Sequence, residues 1–135
     1  MKTIKINGKD FTIEELNKLV EDAKEANPMQ EVYEYHGTTE EEFDKLYENI
    51  PDHVKAYQKE VMIVEFYNKG QKPDWSNSSQ CKYYPYFNMR SFSFNSFRYC
   101  YQYSHVPARL CFLREEDCED AVEKFINVYK ESVLG

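Results

Sequence analysis

Residues 75–104 read WSNSSQCKYYPYFNMRSFSFNSFRYCYQYS, eleven aromatic rings and three cations with no carboxylate, in a chain of 135 residues carrying a net charge of −7. Such a stretch suits a surface for nucleic acid, a surface for another protein, or the core of a small domain. Its periodicity separates the three. Arg90, Phe92 and Phe94 alternate with Ser91 and Ser93, and Phe97, Tyr99, Tyr101 and Tyr103 alternate with Arg98, Cys100 and Gln102. Further on, Ala108, Leu110 and Phe112 alternate with Arg109, Cys111 and Leu113. A period of two belongs to a pleated strand with one buried face, so the sequence predicts three antiparallel strands in a meander. A symmetric turn at Ser104-His105-Val106-Pro107 sets Tyr99 opposite Phe112, Tyr101 opposite Leu110 and Tyr103 opposite Ala108 on one face. The other face then holds Arg98 opposite Leu113, Cys100 opposite Cys111, and Gln102 opposite Arg109.

In that register the rings stand apart from most of the cations. A nucleic-acid-binding sheet presents rings and cations to the same side, whereas a sheet packed on helices turns its rings inward. The row from Phe97 to Tyr103 is therefore expected to be core. The preceding segment SQCKYYPYFNM reads as a loop. Tyr83, Tyr84, Tyr86 and Phe87 are too close in sequence to share one strand face. With Trp75 they either lid the core or form an aromatic patch of the kind enriched at protein interfaces. The partner-binding candidates are Trp75, Tyr83, Tyr84 and Tyr86; the alternative nucleic-acid face comprises Lys82, Arg90, Arg98 and Arg109.

Upstream, TIKI and KDFT flank Asn7-Gly8, the signature of a two-residue type I′ hairpin turn, which places Ile4 opposite Phe11 and Lys5 opposite Asp10. Thr12 with Glu15, and Thr39 with Glu42, are spaced as capping boxes. Each opens an apolar stripe at helical spacing: Leu16, Leu19, Val20 and Ala23 in one, Phe43, Leu46, Tyr47 and Ile50 in the other. A third helix carries Val54, Tyr57, Val61 and Val64, widened by Met62 and Phe66, and ends at Asn68-Lys69-Gly70. QEVYEYHG reads as a short strand. A final helix from about Glu116 to Glu131 buries Ala121, Val122, Phe125, Ile126 and Tyr129, and its opening EEDCED complements the helix dipole. The expected class is α+β: an N-terminal β-hairpin, three helices, a C-terminal antiparallel β-meander packed on helices, and a last amphipathic helix. Length predicts one compact domain over 1–135, mainly helical over 1–70, with the aromatic sheet and last helix over 71–135.

Charge is unevenly spread: −7 over residues 1–74, +5 over 75–114 and −5 over 115–135. No apolar run reaches the ~20 residues of a membrane span, and MKTIKINGKDF lacks the apolar core of a signal peptide. A cytoplasmic location follows as an expectation, with Cys81, Cys100, Cys111 and Cys118 reduced. The cysteines show no close pair of the kind zinc sites use. Phosphate-loop, dinucleotide, zinc-protease and serine-hydrolase motifs are all absent. His36, His53 and His105 fall in different elements, and His36 reads as a solvated or capping residue. No enzyme, metal or cofactor is expected, and no membrane partner.

The text KPDWSNSSQCKYYPYFNM, then FSF, then VPARLCF, then a helix carrying AVEKFINVYK, resembles a pattern in small uncharacterised proteins of Bacteroides and their phages. The match rests on Asp74, Trp75, Gln80, Lys82, Tyr83, Tyr84, Pro85, Phe87, Arg109, Leu110, Cys111 and Phe112. It departs where Arg114-Glu115 replace the Ser or Thr that usually starts the last helix. The resemblance implies a shared fold and a bacterial, phage or mobile-element setting, and no activity. The functional expectation is a protein-binding accessory protein, acidic enough to act as an inhibitor of a nucleic-acid-handling host protein. The alternative is a single-stranded nucleic-acid or RNA binder using the basic 75–114 segment.

Overall fold

The computed structural model describes residues 2–100, 104 and 106–135, with the side chains of 24, 25 and 96–100 left aside. The elements in order are β1 (Thr3–Ile6), β2 (Lys9–Thr12), α1 (Ile13–Ala26), α2 (Met29–Tyr35), α3 (Glu40–Leu46), α4 (Asp52–Tyr67), β3 (Lys82–Asn88), β4 (Ser93–Cys100), a 3-10 turn at Ala108–Leu110, and α5 (Glu115–Leu134). The fold is α+β.

The local signals at the N-terminus hold. β1 and β2 pair with Ile4 opposite Phe11 and Lys5 opposite Asp10, and Asn7 and Gly8 take φ of 50° and 82°, the left-handed pair a type I′ turn requires. Thr12 Oγ1 accepts from Glu15 N at 3.1 Å, and Thr39 Oγ1 accepts from Glu42 N at 3.2 Å, so both helices start where a side chain satisfies an orphan amide.

Four elements differ from expectation. The segment expected as a strand at QEVYEYHG is α2. Met29, Val32 and Tyr33 are its buried residues, and their i, i+3, i+4 spacing outweighs the β-branched and aromatic content. Its end is sealed by Thr38 N donating to Tyr33 O at 3.0 Å around Gly37 at φ 68°, a helix-terminating backbone arrangement. The expected loop 79–89 is mostly β3, paired antiparallel with β4 from Lys82↔Cys100 to Asn88↔Ser93.

The meander reduces to this pair, because the expected third strand is a 3-10 turn that leaves only Phe112 bridged to Tyr83. Tyr99 accordingly faces Tyr83, not Phe112, and Cys100 faces Lys82, not Cys111. β3 stands between the two residues once expected to pair. The expected strand at Arg90–Phe94 begins later, since residues 89–92 form the hairpin turn. There Phe92 adopts φ 39°, an uncommon conformation for a bulky residue, while its ring stacks on Phe87 at 4.8 Å. The expectation that the Phe97–Tyr103 row is core concerns side chains outside those described.

The core forms where α4, α5 and the inner face of β3 meet. It contains Met29, Val32, Tyr33, Phe43, Ile63, Phe112, Val122, Phe125 and Tyr129, among others, with Tyr83, Phe87 and Phe94 packed against it. Four consecutive residues of α4, Val61–Val64, are buried, as befits a helix covered on more than one side. Not every predicted stripe is buried. Leu46 is 77% and Ile50 40% exposed, and on α1 Leu19 and Val20 are 52% and 53% exposed.

The segment carrying Phe112 is held from both sides. Tyr83 N donates to Phe112 O at 2.8 Å and Phe112 N donates to Tyr83 O at 2.7 Å. From α4, Asn68 Nδ2 donates to Cys111 O at 3.0 Å, and Leu113 N donates to Asn68 Oδ1 at 3.0 Å. Replacing Asn68 by Ala strips partners from two backbone groups in a largely water-free setting. The expected cost is about 2–3 kcal/mol, read as a lowered midpoint in urea unfolding; an unchanged midpoint would show that the amide is dispensable.

Candidate functional site

The loop between α4 and β3 is organised from within. Asp74 Oδ1 accepts from Ser76 N at 3.0 Å and from Ser76 Oγ at 2.6 Å, and Asn77 Oδ1 accepts from Ser79 N at 2.9 Å. Asp74 N donates to Gln80 Oε1 at 2.6 Å, tying the two ends of the turn together. At its centre stands Lys82, 0% exposed. Its Nζ donates to Asn77 O at 3.0 Å and lies 5.0 Å from the centroid of the Trp75 ring, within cation–π range. The Ser76 hydroxyl and amide, aided by the nearby Lys82 ammonium, hold the Asp74 carboxyl below the usual range.

Trp75 and Val106 pack on Tyr84 and Cys111 in a small second cluster. This cluster lies on the opposite face of β3 from the main core, because Lys82 and Tyr84 alternate with Tyr83. The predicted partner-binding residues are thus divided. Tyr84 is 6% exposed beneath Trp75, Tyr83 packs against the main core, and Tyr86 is 44% exposed on the outer face.

The alternative nucleic-acid set is also divided. Arg90 and Arg109 are exposed while Lys82 is buried; the Arg98 side chain is outside those described. A lysine committed to a carbonyl and a ring inside the protein is not presented to a phosphate backbone. His36 is built in: Nε2 donates to Met62 O at 3.0 Å, and Nδ1 lies 3.6 Å from Glu65 Oε2. Cys81 and Cys118 are free thiols, and burial pushes Cys118 up to about 12, the opposite of what a reactive thiol requires. Among the described residues no group of three or more His, Cys, Asp or Glu side chains could hold a metal ion. No helix among them is long and apolar enough to cross a membrane.

Two further features have no counterpart in the sequence reading. The first is a buried acid. Glu60 of α4 is 2% exposed, and burial raises its carboxyl to about 8, against a partly offsetting hydrogen bond from Ser132. Neither Glu60 Oε1 nor the Tyr129 hydroxyl has a hydrogen-bond partner among the described residues. Burial first, then Glu60, pushes the Tyr129 phenol well above its normal range. Both Tyr129 and Ser132 lie beyond Phe125, where α5 departs from helical backbone at φ −118° and ψ 26°.

The second is the exposure of the apolar face of the N-terminal unit β1–β2–α1. Ile4, Ile6, Ile13, Leu19 and Val20 are each 44–57% exposed. Phe11 and Leu19 line a shallow groove of about 330 Å³ with Lys18. Where α1 approaches the body, Glu21 joins Glu31, Asp120 and Glu123 around a cavity of about 630 Å³. On its far wall Tyr67 Oη donates to Asp120 Oδ2 at 2.6 Å, and Lys124 Nζ pairs with the same oxygen at 3.2 Å. No protein-family model, curated protein or solved structure significantly matches the chain.

Two measurements follow from the buried groups. Lys82→Met keeps the apolar stem but removes the ammonium. The expected result is a red shift of the chain's one tryptophan and a loss of about 1–3 kcal/mol; unaltered emission and stability would show the clamp to be idle. For Glu60, the folded state keeps a proton that the unfolded chain releases near the ordinary value of 4.5. Its contribution therefore makes stability fall as pH rises from about 4.5 to about 8 and level off above. Glu60→Gln should flatten much of that slope relative to the unsubstituted protein in thermal unfolding at a series of pH values.

Proposed function

We propose that this chain is a non-enzymatic protein-binding accessory protein that docks through its N-terminal ββα arm, in the phage or mobile-element setting implied by the resemblance. The observation that carries the reading is the uncovered apolar face of that arm, with Ile4, Ile6, Leu19 and Val20 each between 44% and 53% exposed. A two-stranded hairpin is marginally stable at best in water, and a 14-residue helix gains most of its stability from covering an apolar face. An arm built with strong caps and turn signals, and left with its stripe exposed, supports a role in which another surface covers it. Of the predicted aromatic contacts, Tyr86 on the outer face of β3 is the most exposed of those described, at 44%. The nucleic-acid alternative is weakened by the burial of Lys82 and rests on Arg90, Arg98 and Arg109.

Immobilised protein should retain a discrete protein from nuclease-treated bacterial lysate, lose it in the Leu19→Glu/Val20→Glu variant, and keep most of it in Tyr86→Ala. Recovery of nucleic acid instead, abolished by Arg90→Ala/Arg109→Ala and indifferent to the arm substitutions, would overturn the assignment.

A further inference from the structure

We propose that the second half of α5, residues 126–134, is a flap hinged at Phe125, latched shut by the protonated carboxyl of Glu60 and released when that proton leaves. The hinge is visible in the backbone. At Phe125 φ is −118° and ψ is 26°, which divides α5 into two helical stretches. The pivot itself is fixed, because Phe125 belongs to the main core.

The two stretches are anchored unequally. Before the hinge, Cys118, Ala121 and Val122 are all buried, at 0%, 0% and 2% exposure. Beyond it Tyr129 is the one buried residue, while Val133 and Leu134 are exposed. The Tyr129 ring lies 5.5 Å from that of Phe87 on β3, so lifting the flap uncovers Phe87. The Tyr129 hydroxyl has no hydrogen-bond partner among the described residues, which offsets part of what the ring gains by burial.

The flap's apolar anchor stands against the acid. Glu60 acts on Tyr129, and Ser132, also on the flap, hydrogen-bonds the Glu60 carboxyl. Glu60 itself is buried with its Oε1 unpartnered among the described residues. While it holds a proton the carboxyl is neutral and the flap can stay down. Ionised in the same place, it is a charge in a poorly polarisable setting, and lifting the flap admits the water that solvates it.

The neighbouring groups leave this change to Glu60. Tyr67 and Cys118 also act on Tyr129, and burial pushes all three upward, so of these four Glu60 is the one that ionises below about pH 8. Tyr33 of α2 responds to Asp44 and Glu40 of α3. Lys55 and Lys59 of α4 border an open cavity of about 340 Å³ with Asp52 and Glu131. Lys55 Nζ pairs with Asp44 at 2.7 Å, and Lys59 Nζ lies 5.8 Å from the Phe43 ring centroid, so both reach toward α3.

With the flap down the carboxyl keeps its proton up to about pH 8, and with the flap lifted it releases it near 4.5. The lifted fraction therefore rises about tenfold per pH unit between those limits and levels off above.

The test is amide exchange at residues 129–132 and 119–124 between about pH 5 and 8, each rate divided by that of an unstructured chain at the same pH. Amides 129–132 should be the less protected, should respond weakly to low urea, and should lose protection about tenfold per pH unit. Glu60→Gln keeps the shape of the neutral acid and cannot ionise, so it should hold their protection constant. Should that variant unfold, the Glu60 carboxyl resonance of the unsubstituted protein serves in its place and should titrate near pH 8.

Equal protection of the two stretches, with one urea dependence, would show α5 opening as a unit and overturn the hinge. A slope that survives in Glu60→Gln would assign the latch to another group. A carboxyl that titrates near 4.5 would take the proton out of the closed state and overturn the proposal outright.

Discussion

The two hydrogen bonds made by the Asn68 amide tie the end of α4 to the segment that leads into α5. An asparagine side chain offers one donor and one acceptor separated much like those of a peptide group. Placed at the end of α4, it serves residues 111–113 as a neighbouring strand would, receiving Leu113 N and satisfying Cys111 O. Tyr83 supplies the other side through Phe112. With both sides engaged, the alternation of an extended segment does the rest. Phe112 turns into the main core and Cys111 into the small cluster under Trp75. The chain then enters α5 at a fixed place against α4. The helix must end promptly for Asn68 to be in position, and Lys69 and Gly70, at φ 55° and 76°, provide the reversal.

Two ionisable groups lie in the protein interior and are accommodated in opposite ways. Lys82 is engaged by its surroundings: a carbonyl accepts from its Nζ, a tryptophan face covers it and an aspartate stands nearby. Burial raises the Glu60 carboxyl, which keeps a proton instead. The contrast follows from the cost of an unpaired charge in a poorly polarisable setting. It also separates their structural roles. The lysine shapes a loop that would otherwise have little apolar material to hold it, whereas the acid sits within a helix pair already fastened by Val122, Phe125 and their neighbours.

What was legible in the sequence was local. The Asn7-Gly8 turn, the Thr12 and Thr39 caps and the register of the first hairpin depend on residues within a few positions of one another, and all stand in the structure. Segment 82–88 was not legible as a strand, because Lys82 and Pro85 break the apolar alternation. Lys82 is buried only through partners that the fold supplies. Segment 108–113 alternates convincingly but begins after Pro107 and turns as a 3-10 helix; its real partner, Asn68, is 43 positions away. In α2, two helical turns of mixed aromatic and β-branched residues were too short for the period to be heard over composition. For the candidate site the same limit applies. Trp75 and Tyr84 were recognisable as a group, lid or patch, without composition choosing between the two, and an amphipathic stripe on α1 declares a need for cover without saying whether the chain provides it.

The housing of Lys82 also sets its amine apart from those of the exposed lysines. An acylating reagent, or an enzyme that modifies lysine side chains, needs the nitrogen lone pair and room to approach it. Exposed positions such as Lys2, Lys5, Lys9 and Lys18 leave room for that approach. At Lys82 the nitrogen is fastened to Asn77 O beneath the Trp75 ring, so acylation must wait until the turn from Asp74 to Gln80 opens. The molecule thus carries, in a single side chain, a covalent record of whether that turn has ever come undone.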